Sequence, residues 1–128
     1  MPKSPLGIFK SIGEFIAKEE LDRIPRGVRG IYVLFDRIKG KKYKVVYVGK
    51  SDSNVRGRLN AHAHSRKKRE KWDCCSVFEV HNNITHEEIK ELENLILFIF
   101  RKDPRTIGLN TKKSAKTFRI IRKVPMGA

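Results

Sequence analysis

A chain of 128 residues with 39% hydrophobic and 34% charged side chains has the balance of an ordinary soluble globular domain, long enough to bury a modest core without disulfide or metal staples. Lys+Arg number 29 against 14 Asp+Glu, a net charge of +15 with a pI near 10.2, which points to a polyanionic partner held in a salt-sensitive way. The bland alternative is a solvated basic surface or a ribosome-associated protein that does no chemistry. Only two cysteines occur, adjacent at Cys74 and Cys75. That spacing suits neither a bridge nor a zinc site, and both are expected to be reduced core or strand residues of a cytoplasmic protein. No apolar run is long enough for a signal peptide or a membrane span.

Taken in order, residues before Ser11 are Pro-containing and expected to be loosely held. Ser11 and Glu14 have capping-box spacing, so a short helix is expected toward Leu21, with Ile12, Phe15 and Ile16 covering the sheet. It would form an accessory helix within residues 1–27. Gly30–Phe35 and Val45–Val48 are rich in β-branched and aromatic residues and predict a hairpin, with Gly40 in its lysine-rich loop. Gly49 ends the second strand, and Ser51–Asn54 supplies turn and N-cap chemistry. The pattern from Val55 is helical: Val55 and Leu59 form one i, i+4 pair, and Arg58 and His62 another.

The run His64–Lys71 is strongly basic, either a solvated helix face or a phosphate track. Trp72 is expected to anchor the core or a strand edge, and Cys74–Val80 reads as a third strand. Thr85–Glu88 is a second capping box, opening a long helix to about Lys102 with Ile89, Leu92, Ile96 and Ile99 on its buried side. Pro104 stops it. The tail Thr111–Ala128 carries six Lys/Arg and no acid, and Thr117–Val124 would either add an edge strand or order only on nucleic acid.

These residues, taken together, resemble the GIY-YIG nuclease family. Gly30-Ile31-Tyr32 matches its first signature, Tyr47-Val48-Gly49 its second, and Arg58-Leu59 on the following helix its third. Lys50 follows as in many excision-repair members, and His62 stands where the family often has a histidine or tyrosine. The turn between Gly49 and Arg58 is one residue longer than in excision-repair nucleases. The resemblance covers roughly Val28–Asn110. It implies an α+β fold, a small domain with a mainly antiparallel three-stranded sheet flanked by helices. The whole of 1–128 is then expected to form a single domain, with the nuclease core at 28–112 and a basic tail at 113–128.

The resemblance also implies chemistry. Phosphodiester hydrolysis needs a nucleophilic water, stabilisation of extra negative charge and help for the leaving oxygen. Arg58, a guanidinium that never deprotonates, would take the charge. Tyr32 would activate the water, Tyr47 would position water or phosphate, and His62 would share proton transfer or hold the substrate. One helical glutamate would hold Mg²⁺, or Mn²⁺, which is content with one carboxylate, waters and a phosphate oxygen. Glu93 matches the family pattern best but one residue out of register, and Glu91 is the runner-up. Glu87 and Glu88 suit the positive helix end instead. Lys50, Arg56, Lys67, Lys68, Arg69 and Asn110 are the expected substrate contacts. The implied activity is metal-dependent endonucleolytic cleavage of nucleic acid, DNA being expected, to 5′-phosphate and 3′-hydroxyl ends. A homodimer or a larger assembly would bring two sites together. The rival is a non-catalytic or partner-dependent basic nucleic-acid-binding module, and neither reading places the chain in a membrane.

Overall fold

Alternation in the Gly30–Ile38 segment sets the architecture. Ile31 and Val33 project to one side of the strand, Tyr32 and Leu34 to the other, and all four are buried. A strand apolar on both faces needs cover on both, and the chain supplies it with helices. In the computed structural model, which describes residues 1, 3, 7, 9–38, 42–66 and 69–101, the elements are β1 (Phe9–Ala17), a 3₁₀ segment (Lys18–Arg23), β2 (Gly30–Ile38), β3 (Lys42–Ser51), α1 (Val55–His64), β4 (Cys74–Val80) and α2 (His86–Arg101). Among the described residues no helix is long and apolar enough to cross a membrane.

The sheet has four strands in the order β1-β4-β2-β3, and each neighbouring pair is antiparallel. On one face lie Tyr32, Leu34, Cys75 and Val77, covered by Leu21, Ile24, Val55, Leu59 and Trp72. On the other lie Ile31, Val33, Val45 and Val48, covered by Ile89 and Leu97 of α2. Trp72 is buried, as its expected anchoring role requires. Both cysteines are free and buried on β4; burial, with Cys74 beside it, pushes the Cys75 thiol up to about 12, so it stays protonated and inert. Gly30 is forced by a close approach: a Cβ there would stand 2.0 Å from the Phe78 carbonyl oxygen across the β2–β4 ladder.

The second hairpin strand runs past Gly49, its expected end, to Ser51, and two further expectations are corrected. The accessory helix from Ser11 is instead β1, so the sheet has four strands rather than three, and only Lys18–Arg23 turns helically, as a 3₁₀ segment. The Ser11 hydroxyl donates to the Glu79 carboxylate at 2.7 Å rather than capping a helix. Register irregularities between Phe9 and Ser11 and between Gly13 and Ile16 displace the two-residue alternation, and this makes Ile12 and Ile16 look helical. The second correction is at Ile99, expected on the buried side of α2 but 57% exposed; the fully buried seam runs through Ile89, Glu93 and Leu97 instead. The basic tail and its edge strand lie outside the described residues.

Candidate active site

β2 and β3 bring the two signature tyrosines to one face. Leu34 pairs with Tyr47 and Tyr32 with Gly49 across the hairpin, so Tyr32 and Tyr47 sit as diagonal neighbours with ring centroids 6.2 Å apart. Gly49 makes room for the first ring. A Cβ at that position would stand 2.4 Å from both Cζ and the hydroxyl oxygen of Tyr32, so the glycine is required by the tyrosine opposite.

α1 supplies the third and fourth groups. Val55 and Leu59 are fully buried and fix its rotation, which turns Arg58 to solvent and leaves His62 half-buried against the sheet. The Tyr32 hydroxyl and His62 Nε2 are 2.7 Å apart, a hydrogen bond across 30 residues of sequence. The His62 ring also lies 4.9 Å from that of Tyr47, closing a triangle of two phenols and an imidazole. The helix start is tied down locally. The Asn54 side chain accepts from the Gly57 N–H at 3.2 Å, Ser51 Oγ accepts from the Asn54 N–H at 2.9 Å, and the Val55 N–H donates to the Val28 carbonyl at 2.9 Å.

Glu93 on α2 is the buried carboxylate of its helix, 1% exposed, whereas Glu87, Glu88 and Glu91 are exposed. Glu88 serves the helix start, accepting the Thr85 N–H at 2.9 Å while Thr85 Oγ1 accepts the Glu88 N–H at 3.1 Å. The Tyr32 phenol feels the whole set. Its pKa is raised well above the ordinary value, first by burial and then by Tyr47; Arg58 opposes that rise and Glu93 adds to it. Tyr32 is therefore a neutral hydroxyl in the free protein, with a cation and a carboxylate within electrostatic reach.

Among the described residues no three His, Cys, Asp or Glu cluster into an all-protein metal cage. Glu93 offers one buried carboxylate, a hard-oxygen donor of the kind that suits a Mg²⁺-type ion keeping several waters and taking a phosphate oxygen. Glu93 is the residue that would hold it.

The expected substrate contacts are scattered. Lys50 follows Gly49 directly, with its ammonium 3.8 Å from Asp52 Oδ2. Arg56 is half-buried, with Nη1 3.5 Å from the Ile24 carbonyl. Arg69 is exposed and its main chain continues the turn after α1, its N–H donating to the Ser65 carbonyl at 2.9 Å. Lys67, Lys68 and Asn110 lie outside the described residues.

A further residue, Arg29, carries no sequence signal, being one arginine among many. Its Nε donates to the Asp52 carbonyl at 2.9 Å, Nη2 to the Ile84 carbonyl at 2.9 Å and Nη1 to the Asn82 carbonyl at 3.4 Å. One guanidinium thus joins the loop before α1 to the loop before α2, the two helices that present Arg58, His62 and Glu93. Asp52 makes a second link across the same gap, pairing with His86 Nδ1.

A family model described as the GIY-YIG catalytic domain matches residues 29–105, more than half of the chain. No curated protein matches the chain. The matched span contains both tyrosines, the arginine and histidine of α1 and the glutamate of α2, and the chain accordingly belongs to the GIY-YIG catalytic domain family, a family of nucleases.

Proposed function

We propose that this chain is a metal-dependent endonuclease that hydrolyses phosphodiester bonds of DNA to 5′-phosphate and 3′-hydroxyl ends. The observation that carries the reading is the 2.7 Å hydrogen bond between the Tyr32 hydroxyl and His62 Nε2, with the phenol acted on electrostatically by both Arg58 and Glu93. With its pKa raised, Tyr32 does not act as a free phenolate. It takes a proton from the attacking water as its own proton passes to His62 Nε2, so no buried anion accumulates. The water oxygen bonds to phosphorus as the opposite P–O3′ bond breaks and O3′ takes a proton from solvent, and the extra negative charge on the phosphoryl oxygens meets the exposed Arg58 guanidinium. Tyr47, in ring contact with His62, positions the water or the phosphate. Glu93 would hold a divalent cation, which would supply further charge neutralisation. Lys50, Arg56, Lys67, Lys68, Arg69 and Asn110 contact the strand around it.

One such site cuts one strand, so double-strand cleavage calls for a homodimer or a larger assembly. Two free, buried cysteines accord with a reducing, cytoplasmic setting. The test is cleavage of supercoiled plasmid with Mg²⁺ or Mn²⁺, with and without chelator. Arg58→Ala should lower kcat by about 10²- to 10³-fold while the fold survives, because the side chain is exposed. Glu93→Ala should abolish metal-dependent nicking. If it still cuts, Glu91 is the next candidate ligand. A wild-type protein that binds DNA but never cuts under any divalent metal sinks the enzyme reading in favour of the binding module.

A further inference from the structure

Away from the tyrosine–histidine site, β1 carries an anomaly. Phe15 has φ 46°, a left-handed conformation that an aromatic residue rarely adopts, and its side chain is 48% exposed. The irregularity between Gly13 and Ile16 creates this conformation, and the Phe15 N–H is accommodated by Ser76 Oγ at 3.2 Å. The result is an aromatic ring held outward at a cost, stacked on Tyr43 of β3 at 4.5 Å and 27°, with Phe35 5.2 Å from it. The ring stack borders a cavity of about 350 Å³ that also touches Lys18, Glu19, Trp72 and Asp73. The Trp72 indole N–H is buried and has no hydrogen-bond acceptor among the described residues. β1 lies outside the region that the family model matches.

We propose that this cavity receives an unpaired nucleobase of the nucleic acid that the chain acts on, stacked against the Phe15–Tyr43 pair. The proposal rests on the nucleic-acid reading above but not on cleavage. Its chemistry selects a base rather than a phosphate. Two carboxylates, Glu19 and Asp73, border the cavity and repel an anion, yet they accept from the N–H groups of a base edge. The phosphates on either side of that base meet a chain of net charge +15, with Lys18 among the residues that line the cavity. Aromatic platforms beside basic surface are how single-stranded or extruded bases are held without sequence preference. Tyr43, two residues before Val45, shares its face of the sheet, whereas Tyr47 lies on the face of Tyr32, so a nucleic acid that meets both sites passes round the β3 edge.

The experiment is metal-free binding of two duplexes, one fully paired and one with a single extrahelical 2-aminopurine, to wild type, Phe15→Gly and Tyr43→Val. Glycine adopts φ 46° freely, so Phe15→Gly removes the ring and relieves the strain together. Valine keeps strand propensity at position 43, so one variant decides the matter if the other does not fold. Wild type should quench the 2-aminopurine emission and prefer the bulged duplex by about tenfold. Both effects should vanish in each folded variant while affinity for the paired duplex holds. Equal affinity without quenching in wild type overturns the proposal, as does quenching that persists in the variants. Either of those outcomes alongside plasmid nicking leaves the nuclease reading standing. A wild-type protein that binds neither duplex overturns this proposal together with the nucleic-acid reading.

Discussion

The two helices reach the site by different means. α2 is a 16-residue amphipathic helix that opens with a reciprocal capping box, buries Ile89 and Leu97 completely, and half-buries Leu92, Ile96 and Phe100 against the sheet. Its carboxylate, Glu93, is carried inward by that apolar seam. α1 has ten residues, of which only Val55 and Leu59 are buried. A helix that short is marginal by itself. Hydrogen bonds from its flanks set its position: the Asn54 cap, the Ser51 hydroxyl, the Val28 carbonyl and, through the preceding loop, Arg29. Apolar burial is tolerant of small shifts, whereas hydrogen bonds fail over tenths of an ångström. The imidazole and the guanidinium are therefore expected to be more easily misplaced than the carboxylate.

The largest disturbance should come from neither helix but from the strand between them. Gly49→Ala puts a methyl 2.4 Å from the Tyr32 ring and hydroxyl. The four-stranded ladder holds the backbone, so Tyr32 must rotate and its bond to His62 Nε2 breaks. Overpacking of this kind costs about 1–3 kcal/mol. Thermal denaturation should show that loss, and plasmid cleavage should fall to near background. Retained full activity in a stable Gly49→Ala protein would remove the Tyr32–His62 bond from the mechanism.

Arg29→Ala comes next and separates the helices. It leaves three carbonyls, of Asp52, Asn82 and Ile84, without their charged donor, a loss of about 2–3 kcal/mol. Hydrogen exchange should accelerate in α1 well before the middle of α2, and kcat should fall more than KM rises. Equal acceleration in both helices would mean that the apolar seam of α2 also depends on this clamp. Asn54→Ala is a smaller version confined to α1, costing about 1 kcal/mol through the lost cap to the Gly57 N–H.

Strands β2, β3 and β4 and both capped helices are legible in the chain because their signals are local. Cys74–Val80 is a compact β-branched and aromatic run, and Thr85–Glu88 is a capping box ahead of an apolar period. β1 was not legible. Its bulge moves Ile16 one step out of alternation, and Ser11 and Glu14 imitate a capping box while Ser11 is bonded to Glu79, 68 residues away. The same limit governs the site. The spacing of Tyr32, Tyr47, Arg58 and His62 is visible in the sequence through a family resemblance, but the Tyr32–His62 bond and the Arg29 clamp join segments 30 and 23 or more residues apart. No local pattern encodes such contacts. The resemblance ranks Glu93 above Glu91 but one residue out of register; the packed sheet fixes the rotation that buries Glu93 and exposes Glu91.

The smallest effect distinguishes the two helix starts by pH. The Glu88 carboxylate is held below its ordinary pKa, first by the Thr85 N–H and then by the Thr85 side chain. Its charged form is thus favoured in the folded protein, so its contribution is present above the ordinary glutamate range and fades as pH falls through the lowered folded value. Glu88 is fully exposed, so the contribution is small and screened by salt. A Glu88→Gln protein should have a slightly lower Tm than wild type at neutral pH, and the two curves should converge in acid. The Asn54 cap on α1 carries no ionisable group, so the Tm deficit of Asn54→Ala should stay constant over the same range. If the Glu88→Gln deficit is equally flat, the start of α2 is held by the neutral Thr85 hydroxyl alone, and the two helix ends are secured in the same way after all.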